Sequence, residues 1–268
     1  MSVIISEQDL PKELTAEQSV ESAYAETLSD TASDLTRGLP VLIECEKDLA
    51  PYVFMNVRAR LKQENLRCLY LDGRPAANQP ADSMQAGLVG TMIAQLRDAV
   101  RGAVERRVVV LPHLDLLTTS QGGLTAEARE VIPLLYENPE LVWLGFKDPS
   151  FPLPEVIENL FPHRYHLLGI PRPRLQHLVT QSEARKFGRE FNPWNLYKYV
   201  SGMNAVRLRK MLSTLTGEDY PADPKRAFAQ IRQATTGGKL EIPRVDLEKD
   251  IGGYTKVKQR LTLSLIHI

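Results

Sequence analysis

The chain has 268 residues, 43% of them apolar and 25% charged, the balance of a folded globular protein with room for one large core or two small ones. No apolar run approaches the roughly 20 residues that cross a bilayer. The opening, MSVIISEQDLPKEL, has neither a basic start nor a long apolar stretch, which argues against a secretory leader and for a cytoplasmic protein without membrane contact. The formal net charge of zero hides a division. Residues 1–36 hold eight acids and one base, a charge of −7, and the rest of the chain carries the balancing +7. Residues 172–210 concentrate nine bases against two acids, Glu183 and Glu190. Such a run is usually a solvated helical surface, and otherwise a footprint for an acidic partner. Cys45 and Cys68 sit in apolar runs and read as buried, reduced thiols.

Residues 1–14 read as a flexible lead-in. Over 16–36 the spacing predicts a helix, with Val20, Tyr24, Leu28 and Leu35 on one stripe and acids opposite. Gly38 and Pro40 end it. Five short apolar runs follow, at 39–45, 67–71, 107–111, 141–146 and 164–168, alternating with helical patterns at 51–64, 84–106, 126–137 and 154–160. Strands that are apolar throughout and separated by helices predict a parallel sheet covered on both faces. After Pro171 the strand signals stop, and helices are predicted over 175–187, 193–201, 205–215 and 224–235, with Asn192 as a cap before Pro193.

Residues 245–261, VDLEKDIGGYTKVKQRL, resemble the opening of an AAA module of the valosin-containing-protein and proteasomal-ATPase kind. The resemblance is carried by Asp250, Ile251, Gly252, Gly253, Val257, Lys258 and Leu261. It implies that Ile251, Gly252 and Gly253 contact adenine once the module is complete, and that ATP and Mg act in the complete protein. The phosphate loop of that family comes several tens of residues later. The last six residues, LSLIHI, coincide with a translated end of a sequencing transposon and read either as an assembly scar, in which case the gene is expected to continue, or as a genuine apolar continuation of the helix.

Residues 39–215 resemble the AAA plan in the order of their parts, and what is missing from them is informative. A phosphate loop, G-x-x-x-x-G-K-[ST], wraps phosphates in backbone N–H groups and holds Mg²⁺ by its hydroxyl. Here the turn after the first strand reads Glu44-Cys45-Glu46-Lys47-Asp48-Leu49-Ala50-Pro51, without a glycine and with three acids that repel polyphosphate. Pro112 and His113 stand at the Walker B positions, and Asp115 falls beyond the metal shell. Asp148 replaces a sensor Asn, and Arg164 reads as a structural arginine rather than a finger. Arg207 and Lys210 are candidate remnants of lid cations. No catalytic residue and no metal ligand is assigned, and no cofactor is expected in these residues.

The expected fold is therefore α/β, a five-stranded parallel sheet with flanking helices (P-loop AAA-like but degenerate), followed by a small helical lid. The expected divisions are an acidic lead-in (1–38), the degenerate α/β subdomain (39–171), the lid (172–235), and a linker with the start of a second module (236–268). The expected role is the non-hydrolysing front part of an AAA-family ATPase, serving assembly, regulation or partner binding, with homo-oligomers formed through AAA modules and a protein substrate or adaptor as partner. The alternative is a nucleic-acid or adaptor module that uses the basic lid, with Phe187, Phe191, Trp194, Tyr197 and Tyr199 as stacking rings instead of core. Spacings for Ser-His-Asp, Cys-His or metal chemistry are absent.

Overall fold

A computed structural model describes residues 5–74, 87–102, 107–119, 121–126, 128–188, 191–200, 202–215 and 223–236. The expected adenine contacts Ile251, Gly252 and Gly253, and all of 237–268, lie outside the described residues.

The first long helix, α1 (Ala16–Arg37), starts at a reciprocal cap. The Thr15 hydroxyl accepts from the Gln18 N–H at 3.1 Å, and the Gln18 side chain accepts from the Thr15 N–H at 2.9 Å. Gly38 ends it in the left-handed region, at φ +90°. The predicted stripe is its buried face, interrupted by a kink at Tyr24 (φ −122°, ψ 22°).

Five strands follow: β1 (Val41–Cys45), β2 (Arg67–Tyr70), β3 (Arg107–Leu111), β4 (Val142–Lys147) and β5 (His163–Leu167). They form one all-parallel sheet in the order β2-β3-β4-β1-β5. Each strand lies within two residues of its predicted place. Between them run α2 (Ala50–Gln63), α3 (Gly87–Arg101), α4 (Ala128–Glu137) and the short α5 (Glu155–Glu158).

Alternation along the strands divides the sheet into two faces. Val41, Ile43 and Cys45 point toward α1 and α2, while Leu42, Val109, Leu111 and Trp143 point toward α3, α4 and Phe161. Gly145 falls on the second face, where a Cβ would sit 2.6 Å from Leu114 Cδ1 and 2.8 Å from Phe161 Cζ.

The lid contains α6 (Gln181–Ala184), α7 (Pro193–Val200), α8 (Ala205–Ser213) and α9 (Pro224–Thr236). The single helix expected over 175–187 is instead three pieces: a 3-10 turn Arg172–Leu178, then α6, then a second 3-10 turn Arg185–Phe187. Thr180 causes the break. Its backbone is extended, and its hydroxyl caps a fresh helix start while the Glu183 carboxylate takes its N–H. Asn192 behaves as expected, its side chain accepting from the Trp194 N–H at 2.9 Å.

The lid shares one continuous apolar cluster with α1, α2 and the first sheet face. The segment before α1, expected to be flexible, is docked on the lid. The Pro11 and Leu10 carbonyls accept from the Gln181 backbone and side-chain N–H groups at 3.0 and 2.9 Å, and Leu10 is buried. Among the described residues no helix is long and apolar enough to cross a membrane.

Candidate functional site

The connection leaving β1 runs over the α1–α2 face to β2 at the far edge, whereas the connection leaving its neighbour β4 runs over the opposite face to β5. Adjacent strands whose connections part in this way open a crevice at their C-terminal ends, the usual ligand position in open α/β sheets. Residues 46–48 after β1, His113 and Asp115 after β3, and Asp148 after β4 converge there, and the start of α8 closes it.

The turn after β1 does not present a cradle of donors. The N–H groups of Leu49 and Ala50 both bond to the Glu46 carbonyl, at 3.0 and 3.2 Å, so the backbone closes on itself and α2 begins at once. The Lys47 backbone lies beside the Asp148 carboxylate and contributes to lowering its pKa. A phosphate nest needs such groups turned outward.

The side chains are likewise committed. Lys47 Nζ donates to Asp115 and lies 3.3 Å from His113 Nδ1, which ties the end of β1 to the end of β3. Burial, and then the neighbouring Lys47 ammonium, lower the His113 pKa, so a neutral imidazole accepts from the lysine. Burial alone would raise Asp148, but donors from Ser150 and Lys47 outweigh it and hold the carboxyl below its ordinary value. Glu44 bonds to Lys147 at 3.0 Å, with His166 at 3.6 Å. Arg164 donates to the Glu158 carboxylate and carbonyl, at 3.0 and 2.9 Å, and to the Phe161 carbonyl at 3.3 Å.

The remaining acids of the turn face the lid. Glu46 and Asp48 both accept from the Asn204 side-chain amide and both pair with Arg207. Lys210, the other candidate cation, lies exposed further along α8. Sequence reasoning missed Asn204 and Tyr24. Asn204 carried a usable signal, a capping residue directly before a helical pattern. Tyr24 stands on the predicted stripe, but nothing in that periodicity aims its hydroxyl at the Ala205 N–H, from which it accepts at 3.3 Å.

ATP and Mg do not fit these residues. Asp115 is already paired with Lys47, the N–H groups of residues 49 and 50 are consumed within the protein, and Glu46 and Asp48 put negative charge where polyphosphate would lie. Among the described residues no cluster of three His, Cys, Asp or Glu could hold a metal ion.

The basic lid is also largely answered from within. Arg174 pairs with Glu26 at 2.6 Å, Arg185 with Glu7 at 2.7 Å and Arg209 with the fully buried Glu183 at 2.7 Å. Arg172 stacks 3.7 Å from the Trp194 ring centroid. Phe187 and Phe191 are buried and touch each other, and Phe187 also meets Phe228. These two rings serve the lid core.

No protein-family model matches the sequence, and neither does any curated protein. Solved structures with a similar backbone include a chain of the HORMA:CdnC:Trip13 complex from E. coli MS115-1, with TM-score 0.46 and 11% identity over 83% of this chain and 85% of that one. Another is PCH-2 from C. elegans, with TM-score 0.43 and 8% identity over 81% of this chain and 68% of that one. Both are distant likenesses of backbone.

Proposed function

We propose that the described residues form a non-hydrolysing domain of an AAA-family ATPase, used as an assembly, regulatory or partner-binding platform. ATP and Mg would act in a following module, where Ile251, Gly252 and Gly253 would contact adenine. The oligomer would form through AAA modules, and the partner would be a protein substrate or adaptor.

One observation carries this reading. The turn at the switch point spends its N–H groups, its lysine and its acids inside the protein, in the place where a hydrolysing domain would spend them on nucleotide. The alternative, a nucleic-acid module using the lid, has less support. Arg174, Arg185, Arg207 and Arg209 are engaged by Glu26, Glu7, Glu46 with Asp48, and Glu183 in turn, and two of the five candidate stacking rings are buried.

Titration calorimetry with ATP and Mg²⁺ tests the main reading. No saturable heat is expected. A micromolar dissociation constant, about −8 kcal/mol, would overturn it.

A further inference from the structure

The junction between the β1–α2 turn and α8 sets two carboxylates against the positive end of a helix. Asn204, almost fully buried, caps α8: its Oδ1 accepts from the Arg207 N–H at 2.9 Å. Its Nδ2 donates outward to both Glu46 and Asp48, the latter at 2.9 Å. Arg207, in the first turn of α8, reaches the same two acids, Nη1 to Glu46 Oε1 at 2.7 Å and Nε to Asp48 Oδ2 at 3.0 Å. The kink of α1 delivers the Tyr24 hydroxyl to the Ala205 N–H at 3.3 Å, which satisfies a further donor of that helix end.

A helix N-terminus with an arginine in its first turn favours an anion. Here the anion is supplied by the chain itself. A lone exposed ion pair adds little to stability. This contact differs in kind, because two carboxylates, a guanidinium, a buried amide and a helix end share one network whose members polarise one another.

We propose that Glu46 and Asp48 are a built-in anionic latch. They hold the helical lid closed on the sheet without a ligand, so the spacing of lid and sheet in this domain is fixed by the chain and not switched by an incoming phosphate. The inference concerns this junction alone and does not depend on the assignment to an ATPase.

Hydrogen exchange on the full 268-residue chain tests it. In Glu46→Gln/Asp48→Asn the Ala205, Arg207 and Leu208 amides are expected to exchange about tenfold faster, the scale of a lost charge-assisted hydrogen bond. Arg207→Gln should produce the same gain from the lid side. The triple variant should add nothing further, because both changes break one network. The amides of β3 should keep their protection throughout. Unchanged exchange at α8 in both variants overturns the latch, and so does loosening of β3 in step with α8, which would make the acids ordinary supports of the whole fold. Wild-type protein gives a second measurement that does not depend on the variants folding. Raising NaCl from about 0.05 to 1 M shortens the screening length to roughly 3 Å and should loosen α8 before β3. Protection of α8 that is indifferent to salt would equally end the proposal.

Discussion

The two faces of the sheet are closed in different ways. On one, Val41, Ile43 and Cys45 meet α1 and α2, and the apolar cluster continues without a break into the lid as far as Ile231. On the other, Leu42, Val109, Leu111 and Trp143 are sealed locally by α3, α4 and Phe161, and the cluster ends there. The first face makes sheet and lid one cooperative body, because removing either would expose the same core. The second face is a self-contained layer whose faults should stay local. The charges follow the same division. Acids of the N-terminal segment answer bases of the lid across the first face, through Glu7–Arg185 and Glu26–Arg174.

The largest test of this contrast is Leu28→Ala. Leu28 is fully buried in the shared cluster, and its truncation should cost about 2–5 kcal/mol. The chain has two tryptophans, Trp143 in β4 and Trp194 in the lid, so fluorescence of single-tryptophan versions reads sheet and lid separately. Both midpoints in urea should fall together. Two separated transitions would break the claim that the first face unites them.

Gly145→Ala probes the second face. The added methyl meets Leu114 and Phe161 at 2.6–2.8 Å, and overpacking of that kind costs about 1–3 kcal/mol. Phe161→Leu in the same background should recover part of the loss. No recovery would mean that the strain is taken up elsewhere.

The smallest expected effect is a pH dependence at the junction of β1 and β3. The His113 pKa is lowered in the folded chain, so its contribution to stability is fully present above the unfolded value of 6.5 and is lost as pH falls through the folded value. Thermal midpoints taken from pH 7.5 down to 5 should decline less steeply in His113→Gln than in wild type. Identical slopes would remove His113 from the account.

Much of this architecture was legible in the residues because it rests on apolar periodicity. Runs such as Val108-Val109-Val110 and the stripe of α1 announce burial, and burial fixes which face an element turns inward. The lid was harder to read, since helical spacing across 175–187 takes no account of the capping preference of Thr180, which restarts the chain after a break. At the site, the missing glycines and the acids of the turn were visible, but that Glu46 and Asp48 go to Asn204 and Arg207 was not. The pairing of Lys47 with Asp115 across 68 positions was not visible, because a one-dimensional pattern holds no record of which strand ends the topology brings together. The same applies to Tyr24: its place in the stripe showed that it was buried, and only the kink aims its hydroxyl at α8.

The docking of α1 against both its neighbour and the lid sets a schedule for synthesis. Its contact with α2 can form as soon as residues near 63 have emerged, but Arg174, Gln181 and Ala205, which receive Glu26, Leu10 with Pro11, and Tyr24, come more than a hundred residues later. At about 5–20 residues per second the wait is roughly six to thirty seconds. For that interval Leu10 and the lid-facing side of α1 are uncovered on the nascent chain, available to a chaperone or to a neighbouring copy. A slowing of translation upstream of the lid codons would lengthen this exposure, and one placed after α8 would leave it unchanged.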